Sequence, residues 1–371
     1  MSILGKLSRI NINGYKSIKK LDIELKSLNI IIGSNGVGKS NFIGFFKFMK
    51  KILDGDLQLY IAQQGGANKI LYFGQKITEE VQFHLYFPPN SYATTLIPNT
   101  EDSLIFKEEF SMYYPEDRGY GGLAPTKHSL AKAGDEESNL NYRANVSSIE
   151  KHIRRYIKDW KVYHFHDTGK TAKVKQTCNI FDCEILSPDG ANLSAFLYCV
   201  KEHQPKSYKQ IIKTIQRVAP FFQDFILEPE VHNQDTIKLK WKHKGTDEYF
   251  DANDLSDGTL RFILLTTLLL QPNLPTIILL DEPELGLHPF ALKILASMFR
   301  KVSKKTQIIA STQSVTLADE FDLEDLIVVD RKDNQSVFKR LDAEEYEQWL
   351  EEYTLGEIWQ KNLIGGVPSY D

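Results

Sequence analysis

The chain has 371 residues, 42% of them hydrophobic and 25% charged, with a formal net charge of −4. That balance is the one found in ordinary soluble globular proteins, folded as one large domain or two lobes. It makes no global case for nucleic-acid binding, which would have to rest on local patches.

The first nine residues lack the apolar core of a signal peptide. Residues 7–12 and 18–25 alternate apolar and polar side chains as half-buried strands do, and Asn13-Gly14 marks the turn between them. The run Leu28-Asn29-Ile30-Ile31-Ile32 predicts a buried strand, and a helix follows from Lys39 to about Asp54, ended by Asp54-Gly55. Over residues 60–86 short alternating runs, broken by Gly65-Gly66 and Gly74, predict a small antiparallel sheet. Residues 88–148 carry Pro88-Pro89, Gly119-Tyr120-Gly121-Gly122 and Asp135-Glu136-Glu137, which predict hairpins and mobile loops.

Further on, helices are predicted over 146–159, 192–202 and 208–222, and strands over 161–165, 237–241 and 248–250. Helix and strand then alternate: helix 255–270, strand 276–280, helix 289–302, strands 307–310 and 326–329. The most apolar stretch, 262–280, is interrupted by Gln271, Pro272, Asn273 and Pro275, so it predicts a buried helix and strand instead of a membrane span. No heptad pattern predicts a long coiled-coil arm. Late parallel strands rejoining an early strand give an α/β fold with a mixed or parallel central sheet, an N-terminal antiparallel sheet and an inserted lobe. The expected division is a head from residues 1–87 and 251–371, and an insertion at 88–250. Within the insertion, 88–148 is mobile, 149–222 basic and helical, and 223–250 stranded.

Between the buried strand and the first helix lies Gly33-Ser34-Asn35-Gly36-Val37-Gly38-Lys39-Ser40. A strand, a glycine-rich turn and a helix start are the context of a phosphate loop. Its glycines let backbone N–H groups curl around a polyphosphate, Lys39 reaches the β- and γ-phosphates, and Ser40 holds Mg²⁺. Downstream, the apolar strand 276–280 ends in Asp281 and Glu282. Beside a phosphate loop, Asp281 would help hold Mg²⁺ and Glu282 would act as general base on the attacking water. Ser256, before Asp257-Gly258-Thr259, is a natural helix N-cap; alone it reads as a plain cap, and its position just before the carboxylate strand makes a second anion site the alternative.

Phosphate loop, capped helix, carboxylate strand and Pro283-Glu284-Leu285-Gly286-Leu287-His288-Pro289 together resemble an ATP-binding-cassette ATPase of the RecF/SMC kind. The opening Asn13-Gly14-Tyr15-Lys16-Ser17-Ile18 is similar to the N-terminal strand turn of that group. Pro188-Asp189-Gly190-Ala191-Asn192-Leu193 and Thr354-Leu355-Gly356-Glu357-Ile358-Trp359 resemble a compact bacterial branch of predicted AAA family ATPases, often linked to anti-phage defence or DNA repair. The resemblance implies a cytoplasmic, Mg²⁺-dependent ATPase head that pairs head-to-tail around ATP. Asn35, Gly36, Gly38, Lys39, Ser40, Asn41 and Lys16 of one protomer would hold the nucleotide against Ser256 and Gly258 of the other. It also implies a switch acting in genome maintenance or phage defence through a separately encoded effector. An ATP-loaded scaffold that hydrolyses very slowly and restrains such an effector is the alternative.

Two departures from the family pattern stand out. Gln313 occupies the place of a switch histidine; it can hydrogen-bond a γ-phosphate or water but cannot shuttle a proton as histidine does. Asp257 replaces the first glycine of the signature. The lid glutamine has three candidates, Gln63, Gln64 and Gln176.

Weaker signals complete the chain. Lys151, Arg154, Arg155, Lys158, Lys170, Lys173, Lys175, Lys206, Lys209, Lys213, Arg217, Lys238, Lys240, Lys242 and Lys244 form either a DNA-binding face or a solvated one. His164-Phe165-His166-Asp167 reads as a strand with one polar face in preference to a metal site. The acidic run 342–352 suits a basic protein partner. Cys178, Cys183 and Cys199, an odd set without a CxxC pair, predict reduced thiols. No second catalytic centre is apparent, so no intrinsic nuclease is expected.

Overall fold

The computed structural model describes residues 6–114, 125–145 and 147–367. The chain forms two compact units, one of Met1–Trp160, Thr276–Leu279 and Ile309–Asp371, the other of Lys161–Pro275 and Leu280–Ile308.

The first unit opens with β1 (Arg9–Tyr15), β2 (Ile18–Glu24) and β3 (Leu28–Ile32). β1 and β2 pair antiparallel and bury alternate residues, whereas β3 is buried at all five positions. A strand buried along its whole length has both of its faces covered. α1 (Lys39–Asp54) buries Phe42, Phe45, Phe46 and Phe48 and ends at Gly55, whose φ of 76° continues no helix. The Tyr15 ring lies 5.6 Å from Phe45 and 5.5 Å from Phe48, which ties β1 to the helix behind the phosphate loop.

Residues 60–86 correct the expected sheet. They hold most of α2 (Leu57–Gln64), all of α3 (Ala67–Ile70) and a single strand, β4 (Val81–Phe87). Both oxygens of Glu137 accept the N–H groups of Leu57 and Gln58 at 3.0 Å, so the cap that starts α2 arrives from 80 residues downstream. Periodicity over a local window cannot see such a cap. The next segment is also more regular than expected. β5 (Asn90–Pro98) and β6 (Leu104–Tyr113) form a long hairpin, followed by β7 (Thr126–Ser129), α4 (Leu140–Arg143) and α5 (Ser148–Lys158). These strands continue the N-terminal sheet in the order β2-β1-β4-β5-β6-β7, antiparallel throughout. The glycine-rich stretch 119–122 lies outside the described residues.

β8 (Trp160–Tyr163) leads into the second unit. There follow β9 (Cys178–Asn179), α6 (Leu193–His203), α7 (Pro205–Val218), β10 (Phe222–Ile226), β11 (Pro229–Glu230), β12 (Asn233–Ile237), β13 (Lys240–His243), β14 (Tyr249–Asp251) and α8 (Asp257–Leu270). The strands make two small sheets, β10-β13-β14 and β11-β12-β9. The strand expected over 237–241 is therefore divided: Ile237 closes β12, Lys240 opens β13, and buried Leu239 turns between the two sheets. The thiol reading also needs correction. Cys183 and Cys199 form a disulfide with Cα atoms 6.0 Å apart, because Cys199 on α6 faces the loop before that helix, and only Cys178 is a free thiol.

The chain continues through β15 (Ile277–Asp281), α9 (Pro289–Val302), β16 (Gln307–Thr312), α10 (Val315–Ala318), β17 (Leu326–Lys332), β18 (Gln335–Arg340), α11 (Ala343–Glu352) and α12 (Leu355–Gln360). In the first unit the second sheet runs β18-β17-β3, then residues 309–312 of β16 and 277–279 of β15. β17 lies parallel to β3, and β17 and β18 form a hairpin through Asp333 and Asn334, both at positive φ. The result is a mixed α/β fold whose longest described helix, α1, has 16 residues. No described helix is long and apolar enough to cross a membrane.

Candidate nucleotide site

The phosphate loop leaves the end of β3, at the centre of the first unit's second sheet. Gly33, Gly36 and Gly38 have φ values of 157°, 76° and 111°. At Gly38, a Cβ would collide with the Ser336 hydroxyl, so close approach as well as φ requires glycine there. Gly38 is also the N-cap of α1, and it caps no N–H with a side chain. The first N–H groups of a 16-residue helix are thereby left to whatever enters the loop. Lys39 is buried, and its ammonium donates to the carbonyl oxygens of Gly33 at 2.7 Å and Ser34 at 2.8 Å. Asn35, Gly36 and Ser40 are exposed. Glycine cradle, uncapped helix start and single lysine fit a triphosphate; Lys39 and the loop would hold it, and Ser40 offers a hydroxyl for Mg²⁺.

Asn41 donates through Nδ2 to Ser17 Oγ at 2.7 Å, while Ser336 of β18 donates to the Val37 carbonyl and lies 2.7 Å from the same Ser17 oxygen. Ser17 belongs to the opening motif, but nothing near Ser336 in the sequence marks its part in bracing the loop. Next to this brace, Lys16, Ser17, Asn41, Gln64, Asn68 and Arg331 line an open cleft of 610 Å³. Lys16 has a φ of 49° and reaches Gln64 Oε1 at 3.3 Å. Burial, helped by nearby Lys47, pulls its pKa below the ordinary lysine value. Among the three candidate lid glutamines, Gln64 is the one in this cleft. Gln176 lies in the second unit, with its amide 3.5 Å from the Lys170 carbonyl. Gln313 immediately follows β16, the neighbour of β3, and is half-buried beside Ser314, the cap of α10.

The second unit gathers the remaining candidates. Ser256 caps α8, accepting the Thr259 N–H at 3.2 Å. Gly258 sits so close to Gly286 that a Cβ would meet the Gly286 carbonyl oxygen, so this glycine packs the signature turn on the loop after the carboxylate pair. Arg261, one turn later and 6% exposed, donates to the carbonyls of Phe165, His166 and Leu285. Burial pulls its guanidinium below its ordinary pKa, with Asp257 and Glu284 opposing. His166 Nε2 lies 2.7 Å from the Asp281 carbonyl. Glu282 has a φ of 46°, a left-handed conformation that costs a non-glycine residue free energy and is common at functional sites. No group of three His, Cys, Asp or Glu able to hold a metal occurs among the described residues.

Four of the basic residues of the middle region are paired or buried. Lys238 pairs with Asp251, Lys240 with Glu230 at 2.6 Å and Lys173 with Asp189 at 3.0 Å, and Lys175 is buried. Lys206, Lys209, Lys213 and Arg217 are exposed on α7, spaced to share one face.

Residues 28–319 match the family described as "AAA domain, putative AbiEii toxin, Type IV TA system". Among solved structures, an SMC head bound to the C-winged helix domain of ScpA is similar at 16% identity and a TM-score of 0.56, covering 91% of this chain and 99% of that one. The Smc head domain with an extended coiled coil from Pyrococcus furiosus, bound to the C-terminal domain of ScpA, is similar at 15% identity and a TM-score of 0.51, covering 93% and 98%. At these identities the likeness is one of fold. No curated protein matches the chain. The chain shares the fold of SMC heads, and it belongs to the family described as "AAA domain, putative AbiEii toxin, Type IV TA system".

Proposed function

We propose that the protein is a Mg²⁺-dependent, ATP-driven switch that pairs head-to-tail with a second copy and passes its state to a separately encoded effector in phage defence or genome maintenance. The observation that carries the nucleotide part is the uncapped, glycine-cradled start of α1 with Lys39 folded over the loop. Lys39 and the N–H groups of the loop bind the phosphates, with Lys16, Asn41 and Gln64 at the flank. Ser40 and Asp281 would hold Mg²⁺, which would neutralise phosphate charge. Glu282 accepts a proton from the attacking water, and Gln313 orients that water without taking the proton. Ser256 and Gly258 of the second copy complete the site. SMC heads, which share the fold, were solved bound to domains of ScpA, which supports a protein partner here.

In this proposal, residues 1–87 and 251–371 form the head and 88–250 the insertion. The exposed stripe of α7 is the surface for DNA, and α11, with Glu344, Glu345, Glu347, Glu351 and Glu352, the surface for a basic effector. ATP as ligand implies the cytoplasm, and the protein has no nuclease activity of its own. Light scattering of Glu282→Gln with and without ATP is the test. The mass should double with ATP, and an unchanged mass rejects pairing. Gln313 favours a second reading, an ATP-loaded scaffold with very slow turnover that restrains its effector. Steady-state hydrolysis stimulated by DNA would exclude that reading.

A further inference from the structure

Of the 10 residues of α11, the helix buries only Tyr346. A short helix draws its stability from an apolar face packed on something else, yet here Trp349 is 43% exposed and Leu350 38%. The stretch 342–352 adds six carboxylates and no lysine or arginine. A surface of the opposite character lies in the second unit. Gln210 of α7, Leu269, Leu270 and Leu274 at and after the end of α8, Lys301 of α9 and Lys305 beyond it line a groove of 290 Å³. Its floor is leucine, and both lysines are exposed. The segments that build it, 205–218, 269–275 and 289–305, carry nine lysines and arginines and no Asp or Glu, in a chain whose net charge is −4. One chain thus carries an acidic helix with an uncovered tryptophan and a lysine-rimmed apolar groove.

We infer that this groove is the docking site for α11 of a second copy of the chain. Trp349 enters over the leucine floor, and the carboxylates of α11, Glu352 one turn beyond Trp349 among them, face the lysine rim. The leucines select a helix over DNA. A nucleic-acid backbone would meet the lysines but bury nothing on the floor, whereas an aromatic anchor ringed by carboxylates uses both. Groove and helix are different surfaces, so each copy has one of each, and copies join in a ring or an open chain. The contact needs no ATP and stands apart from ATP-dependent pairing. A copy whose α11 lies in a neighbour's groove cannot offer that helix to an effector, so assembly and effector binding exclude each other.

The test is sedimentation velocity of the full chain carrying Lys39→Ala, with no nucleotide added, so that ATP-driven pairing does not contribute. The protein should associate as its concentration rises, and the association should weaken about tenfold or more between about 50 and 300 mM salt. Trp349→Ala should weaken it by about tenfold or more, as loss of an aromatic anchor does. Lys301→Glu with Lys305→Glu, and separately Glu351→Lys with Glu352→Lys, should each sediment as single copies. All four side chains are exposed, so both variants should melt as the parent does. Mixed one to one, the two should associate again, because each helix then meets a groove of opposite charge. A parent that stays single at every concentration overturns the inference. So does association that survives either reversal alone, full association by Trp349→Ala, or a mixture that stays apart. If the groove variant loses binding to a DNA duplex yet still associates, the lysines serve nucleic acid and the inference again fails.

Discussion

Lys39 illustrates how one residue holds two states. Its ammonium is satisfied by the Gly33 and Ser34 carbonyls, so the loop keeps its shape, and the same donors can transfer to phosphate oxygens. Lys39→Ala should weaken ATP binding by about 3 kcal/mol, over a hundredfold, as two charge-assisted hydrogen bonds are lost. Calorimetric titration with ATP checks this, and affinity within threefold of wild type would displace Lys39 from the site. Glu282 offers a second single-residue case. Held at a φ of 46°, it carries backbone strain of the kind that clusters at functional sites. Glu282→Gln should bind ATP as wild type does and lower turnover by about a hundredfold or more. Phosphate release equal to wild type would place the base elsewhere.

Elements owe their positions to partners far away in sequence. The signature glycine is a case where packing and chemistry coincide: Gly258 is required at the Gly286 carbonyl whatever it also does for a nucleotide. Gly258→Ala should push the 284–288 loop aside and cost about 1–3 kcal/mol, read as a lowered urea midpoint with an unchanged slope. An unchanged midpoint would mean that the loop yields freely. The link between α6 and the loop before it is covalent. With 16 residues separating Cys183 and Cys199, Cys183→Ser should cost about 3 kcal/mol under oxidising conditions and almost nothing in excess reductant. Equal loss in both conditions would assign the effect to packing. Mass spectrometry of alkylated protein taken directly from cells would show which redox state the proposed cytoplasmic setting maintains.

At the scale of the molecule, the proposed switch needs two copies because each carries both the phosphate loop and the signature turn. Ser256→Arg should abolish ATP-dependent pairing and leave nucleotide binding by the single chain intact, since the added bulk blocks only the docking face. Mixed with Lys39→Ala, it should regain turnover through the one composite site that both variants leave whole. An inactive mixture argues against sites shared between copies.

Local signals determined a good part of this protein. The phosphate loop, the 16-residue α1 and the Pro289–Val302 helix follow from glycine placement, apolar periodicity and capping, which act within a few residues. The fold class followed from the same alternation of strand and helix. Other features depend on residues far apart in the chain, and only tertiary structure decided them. Glu137 caps α2 across 80 residues, Ser336 braces Val37 across 299, and β5 becomes an inner strand because β4 and β6 pair with it on either side. Lys175 makes the same point: by composition it was one more lysine in a basic stretch, and only the packed chain buries it.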